Sequence, residues 1–83
     1  MITKLKSDNK VVGAKQVRRA LKTMDVELVY IAKDAEKKVT EEIIQFCNEK
    51  QIPIVYIDSM KILGEACGIS INAAVAALIR QLK

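Results

Sequence analysis

The spacing of apolar positions changes period several times along this chain. Val17, Ala20, Leu21 and Met24 stand at i, i+3, i+4 and i+7, one buried helix face. This spacing predicts a helix from Ala14 to Met24. Gly13 separates it from the apolar pair Val11-Val12, and Lys10 to Val12 reads as a short strand. Val26 to Ala32 is β-branched, aromatic and nearly continuous in hydrophobicity, as in a central strand covered on both faces. The polar loop Lys33-Asp34-Ala35-Glu36 follows at its C-terminal end, where loops of open α/β sheets commonly face a ligand.

Thr40 has the side chain of an N-cap, with Glu41 and Glu42 in the first turn. Val39 and Ile44 then match a hydrophobic staple, and the helix runs to about Lys50. Gln51-Ile52-Pro53 reads as a turn and Ile54 to Ile57 as a second buried strand. Asp58-Ser59 caps a third helix carrying Met60, Leu63 and Cys67 at helical spacing. Gly64 inside that helix costs roughly 1 kcal/mol against alanine, which implies close approach by another helix or a backbone. Gly68 suits the left-handed residue after a helix end. Ile69-Ser70-Ile71 is apolar where a loop is expected. Ala73 to Ile79 has helical propensity, yet its unbroken small apolar run also fits a buried strand. The alternation of helices and strands predicts an α/β fold, a three-layer α/β/α sandwich with a mixed or parallel sheet. Met1 to Asn9 is short, basic and weakly patterned, a frayed helix turn at most.

Eighty-three residues make one domain, residues 1–83, with no linker or repeat. The net charge is +4, but its distribution says more. Met1 to Lys22 holds seven Lys/Arg against Asp8, a net +6, and the remainder is −2. Charge gathered at one end points to a polyanion, nucleic acid before membrane, with a solubilising basic tail as the alternative. Tyr30, Phe46 and Tyr56 are the only aromatics, too few for base stacking as the main binding mode. Histidine is absent, which removes Cys₂His₂ zinc sites and histidine-based catalysis. Asp34, Glu36, Asp58 and Glu65 read as caps and solvated helix ends, not acid–base pairs. We expect no enzyme, no cofactor and no metal. Cys47 and Cys67 lie in apolar helical patterns, as thiols packed in a reducing compartment do. No signal peptide or apolar membrane span is visible, so a cytoplasmic protein is expected.

Candidate chemistry centres on Gly13-Ala14-Lys15-Gln16 with Arg19 a turn later. A helix N-terminus offers unpaired N–H groups and partial positive charge to phosphate. Lys15 and Arg19 add full charges, and the Gln16 amide both donates and accepts, as base edges require. A solvated helix start after a turn glycine fits the same residues. A small nucleotide- or phosphate-binding α/β domain is a second functional reading, although it calls for a fuller glycine-rich loop than Gly13 alone.

Three stretches in this order resemble the kink-turn RNA-binding ribosomal protein family. They are Val12-Gly13-Ala14-Lys15-Gln16 with Arg19, Val29-Tyr30-Ile31-Ala32-Lys33-Asp34-Ala35, and Leu63-Gly64-Glu65-Ala66-Cys67-Gly68-Ile69 with the alanine-valine run after it. The archaeal member of that family is large-subunit ribosomal protein L-seven-Ae, and this chain looks most like the short bacterial YbxF-type members. The resemblance implies a mixed four-stranded sheet with Ala73 to Ile79 as a strand. It implies a monomer that binds structured RNA containing a kink-turn, including ribosomal RNA. It places RNA contacts at Gly13, Ala14, Lys15, Gln16, Arg19, Lys33, Asp34, Glu36, Gly68, Ile69, Ser70 and Ile71. In the archaeal pattern Asn-Glu and a later Lys read sheared G·A pairs, where this chain has Lys15, Gln16 and Arg19. The loop Ile69-Ser70-Ile71 corresponds to the one that meets the flipped-out nucleotide. We expect Ile69 to be exposed there and Ile71 to be partly structural, since Ile71 leads toward the strand.

Overall fold

The computed structural model describes residues 9–80. The turn expected over Met1 to Asn9 lies, apart from Asn9, outside the described residues, as do residues 81–83. The elements run β1 (Lys10–Val12), α1 (Ala14–Thr23), β2 (Val26–Ala32), α2 (Lys37–Lys50), β3 (Ile54–Ile57), α3 (Met60–Ala66) and β4 (Val75–Ile79). The four strands form one sheet in the order β1-β4-β2-β3. β4 is antiparallel to both β1 and β2, and β2 is parallel to β3. The sheet is therefore mixed. The parallel β2–β3 pair is joined through α2, the crossover that parallel pairing requires.

Two apolar layers lie on opposite faces of the sheet. Val17, Ala20 and Leu21 of α1 and Ile43 and Cys47 of α2 pack with Val29, Ile31, Val75 and Ala77. On the other face Leu63 and Cys67 pack with Leu28, Tyr30, Ala32, Ala76 and Leu78. This is the α/β/α sandwich, two helices on one side and the short α3 on the other. Side chains alternate along β2 as the strand period demands. Val26 is the exception, joining Val29 and Ile31 although it shares parity with Leu28. A register irregularity between Val26 and Leu28 shifts the phase there.

The alanine-rich run is a strand because of where it lies. β4 is paired along both edges, and Val75, Ala76 and Ala77 are fully buried. Two sheet ladders and two covered faces override a local helix preference of a few tenths of a kcal/mol. The strand begins at Val75, two residues later than the resemblance implied.

Ile54 to Ile57 forms β3, but at the sheet edge, where one side has no partner strand, so it is half-buried instead of fully buried and Tyr56 is exposed. Two further sequence expectations fail. α2 starts at Lys37 with Glu36 as N-cap, so Thr40 is not the cap. Thr40 is buried one turn inside the helix, where its Oγ1 donates to Lys37 O at 3.4 Å. Thr40, Ile43 and Cys47 form the buried stripe, so Thr40 extends the helical period instead of opening it. With Val39 inside the helix, the proposed staple is lost. Met24 is the second failure. It stands after the last turn of α1 in extended conformation and is 53% exposed. The buried stripe ends at Leu21 because the backbone leaves the helix before Met24 can complete it.

Candidate nucleic-acid interface

Strand direction decides which loops meet. Ile31 of β2 and Val12 of β1 stand near the start of β4, opposite Val75 and Ala76 respectively. Gly13 N–H donates to Val75 O at 3.0 Å, and Ala32 N–H donates to Ala74 O at 2.9 Å. Lys33 N–H donates to Ile57 O at 2.8 Å. The exits of β1, β2 and β3 and the entry to β4 therefore share one end of the sheet. At that end lie the start of α1, the loop from Lys33 to Glu36, and the residues leading into β4.

Gly13 has two demands on it. Its φ is +102°, where a side chain is strained, and its N–H completes the β1–β4 pairing. Among the described residues no side chain caps α1, and its first turn holds no acidic residue, so the positive end of the helix carries no negative charge of its own. A Cβ placed on Gly13 would sit 3.2 Å from Gln16 Oε1, so the Gln16 amide folds back beside the helix start. Lys15, Gln16 and Arg19 are all exposed. Lys15, Gln16, Arg18, Arg19 and Lys22 line one shallow depression. Val11, Gln16, Arg19, Ala20, Thr23 and Met24 line a second. Gln16 and Arg19 border both, so they form the ridge between them.

The basic positions on α1 divide into two sets. Arg18 donates from Nη1 to both carboxylate oxygens of Glu42, at 3.3 and 3.1 Å. The Lys22 ammonium lies 5.7 Å from the centre of the Phe46 ring, within cation–π range. Both side chains thus lean toward α2. Arg18 and Lys22 were absent from the residue set read from the sequence, although Lys15, Arg18, Arg19 and Lys22 follow the i, i+3, i+4, i+7 spacing that would have signalled them.

The loop after β2 braces α3. Asp34 Oδ1 accepts from Met60 N–H at 2.8 Å, the first residue of α3. Ser59 Oγ accepts from Ile62 N–H at 3.1 Å, the cap expected from the sequence. Lys33 Nζ lies 3.3 Å from Asp58 Oδ1 in an exposed ion pair. Glu36 is the exposed residue before α2. Of these carboxylates, Asp34 thus serves a helix start and Asp58 a surface pair, while Glu36 holds the N-cap position of α2 without a side-chain bond to it.

After α3 the chain turns at Gly68, whose φ is +77°. Gly68 N–H donates to Glu65 O and Ile69 N–H to Gly64 O, folding the chain back along the helix. The two isoleucines then exchange the roles expected of them. Ile69 is half-buried against the Leu63–Cys67 layer, whereas Ile71 is 73% exposed. Proximity to the strand does not bury Ile71, because β4 starts four residues later. Ser70 and Asn72 are exposed beside it. Asn72 was not among the sequence candidates, and a polar turn residue ahead of an apolar run is the only signal it gives.

Among the described residues no three of His, Cys, Asp and Glu cluster to hold a metal. No helix there is long and apolar enough to cross a membrane. Cys47 and Cys67 are buried and free. Burial pushes the Cys47 thiol up to about 11. Burial also raises Cys67, against a smaller opposing pull from Lys10.

A model of the ribosomal protein L7Ae/L30e/S12e/Gadd45 family matches residues 2–82. The RNA-binding protein TTE2299 of Caldanaerobacter subterraneus subsp. tengcongensis is 56% identical over 68 residues, covering 82% of this chain and 83% of its own. The RNA-binding protein YbxF of Geobacillus stearothermophilus is 41% identical over 70 residues, covering 84% of this chain and 85% of its own. The solved structure of the Giardia lamblia 15.5kD RNA binding protein superposes with a TM-score of 0.86 at 28% identity. That match covers 96% of this chain and 68% of the other.

Proposed function

The chain belongs to the ribosomal protein L7Ae/L30e/S12e/Gadd45 family, and we propose that it is a non-enzymatic protein that recognises and stabilises the bent kink-turn of structured RNA. The observation that carries this reading is the meeting, at one sheet end, of the basic start of α1 and the loop that exposes Ile71. The names of the relatives, RNA-binding proteins, support the partner class.

In this reading, the first-turn amides of α1 and the Lys15 and Arg19 charges meet phosphates where the two RNA arms crowd together. The Gln16 amide meets base edges beside the bend. Ile71 offers an apolar side chain to an unstacked nucleotide. Structured RNA is read mainly by shape, so rigid placement of these groups matters more than their number. Free RNA samples bent and extended forms, and a protein that binds only the bent form shifts the population by its differential affinity. Ribosomal RNA and riboswitch kink-turns are the targets to try first. We take residues 1–83 as one RNA-binding domain acting as a cytoplasmic monomer.

The test is a titration with kink-turn RNA and with a matched RNA lacking the G·A pairs. The first should bind more tightly, and the difference should persist as salt is raised. Equal binding to both, or to neither, overturns the reading.

A further inference from the structure

Gly64 is buried inside α3, and a Cβ added to it would lie 2.2 Å from Ile71 O and 3.2 Å from Asn72 Cα. No real Cβ tolerates the first distance, and the obstructing atom is backbone, which gives way only if the segment carrying it shifts. Two hydrogen bonds flank this close approach. Ile69 N–H donates to Gly64 O at 3.2 Å, and Ala73 N–H donates to Met60 O at 3.0 Å. The segment from Ile69 to Ala73 is thus strapped along α3 at both ends, with the Ile71 carbonyl seated on the missing side chain. Its side chain meanwhile remains 73% exposed. On helix propensity alone alanine is the better residue at this position. The glycine therefore serves the loop and not the helix.

We propose that Gly64 is a positioning residue for RNA recognition, setting where α3 holds Ile71 without touching RNA itself. This rests on the reading that the Ile71 loop meets a nucleotide of the kink. Asp34 belongs to the same chain of support, because its bond to Met60 N–H holds the start of the helix that carries the seat. Gly64→Ala forces the Ile71 carbonyl away from α3 and moves the exposed side chain with it.

The experiment is a double-mutant cycle read by binding to kink-turn RNA and to plain duplex RNA. It uses the wild type, Gly64→Ala, Ile71→Ser and the double variant, at a temperature where circular dichroism shows each fully folded. Gly64→Ala should lower kink-turn affinity while duplex affinity stays unchanged. The double variant should bind no more weakly than the weaker single variant, within about a factor of two. A merely structural glycine would lower the melting temperature and leave the affinity of the folded protein alone. That result overturns the proposal, as does a double variant in which the two losses multiply. If Ile71→Ser weakens binding and Gly64→Ala does not, the proposal fails while the functional reading stands. If the wild type shows no preference for kink-turn RNA, both fall. Should Gly64→Ala not fold, hydrogen exchange on the free wild type decides. The Ile69 and Ala73 amides should exchange slowly, and exchange at loop rates means α3 does not hold the segment.

Discussion

Gln16 combines exposure with a fixed orientation, its amide turned back beside Gly13. Gln16→Ala should therefore cost kink-turn affinity more than duplex affinity, since one base-edge interaction discriminates by about 1–3 kcal/mol. Its melting temperature should barely move. Equal affinity of the variant and the wild type for kink-turn RNA would remove Gln16 from the interface. In the proposed reading, Ile69 and Ile71 separate packing from recognition within three residues. Ile69→Ser exposes a hydroxyl to the Leu63–Cys67 layer and should lower stability by about 1–2 kcal/mol, part of the value of a fully buried isoleucine. Ile71→Ser should melt like the wild type and bind kink-turn RNA more weakly. Paired melting curves and binding isotherms check both variants, and the opposite pattern would restore the assignment made from sequence. That assignment failed because exposure in a loop depends on how the chain folds back after Gly68, and hydrophobicity carries no record of it. Gly64 was different. A glycine set against helix propensity can be read as a close approach, and only the approaching atom had to come from the structure.

At the scale of the helix, α1 carries four basic residues that are not equivalent. Arg18 is paired with Glu42, whereas Lys15 and Arg19 lie on the exposed part of the surface described above. If Lys15 and Arg19 each neutralise a phosphate, Lys15→Ala or Arg19→Ala should flatten the log–log salt slope of RNA binding by roughly 0.7–0.9. Arg18→Ala should change that slope little. Salt titrations of the three variants check this, and a slope change confined to Arg18→Ala would reverse the assignment. The limits of β2, β3 and β4 show which elements are legible in a sequence. Continuous apolar runs bounded by polar residues marked both β2 and β3 as strands, but only β2 is buried on two faces, whereas β3 is a half-buried edge strand with Tyr56 exposed. The β4 run gave no such answer. Its strand state comes from pairing with two partners distant in sequence, and the family resemblance supplied what local pattern could not. The start of α2 was misread for a related reason. Thr40 has the chemistry of a cap, but the packing of its own face against the core decided its place.

Across the whole molecule, the meeting of three segments separated by tens of residues was not legible from their spacing. It follows from β4 running antiparallel to both neighbours, which returns the chain after α3 to the end where α1 begins. The core that holds this arrangement contains three groups whose ionisation is suppressed in the folded state. Burial raises Cys47 to about 11 from 9.0, and raises Cys67 against the weaker pull of Lys10. Burial raises Tyr30 as well, with smaller contributions from Cys67 and Glu27. Each is neutral when protonated and sits in an apolar layer, so unfolding lets it ionise at a lower pH. Above about pH 9 the unfolded chain therefore binds fewer protons than the folded one, and stability falls as pH rises. The contribution of Cys47 is fully present below pH 9 and is lost toward pH 11, with a slope of at most about 1.4 kcal/mol per pH unit. Melting temperature should hold steady from pH 7 to 8.5 and decline from pH 9 to 10.5. Cys47→Ala should start lower because it leaves a small cavity, yet decline less steeply, since one titrating group is gone. The slopes decide, not the levels. Parallel declines in the two proteins would mean that the Cys47 thiol does not couple to folding.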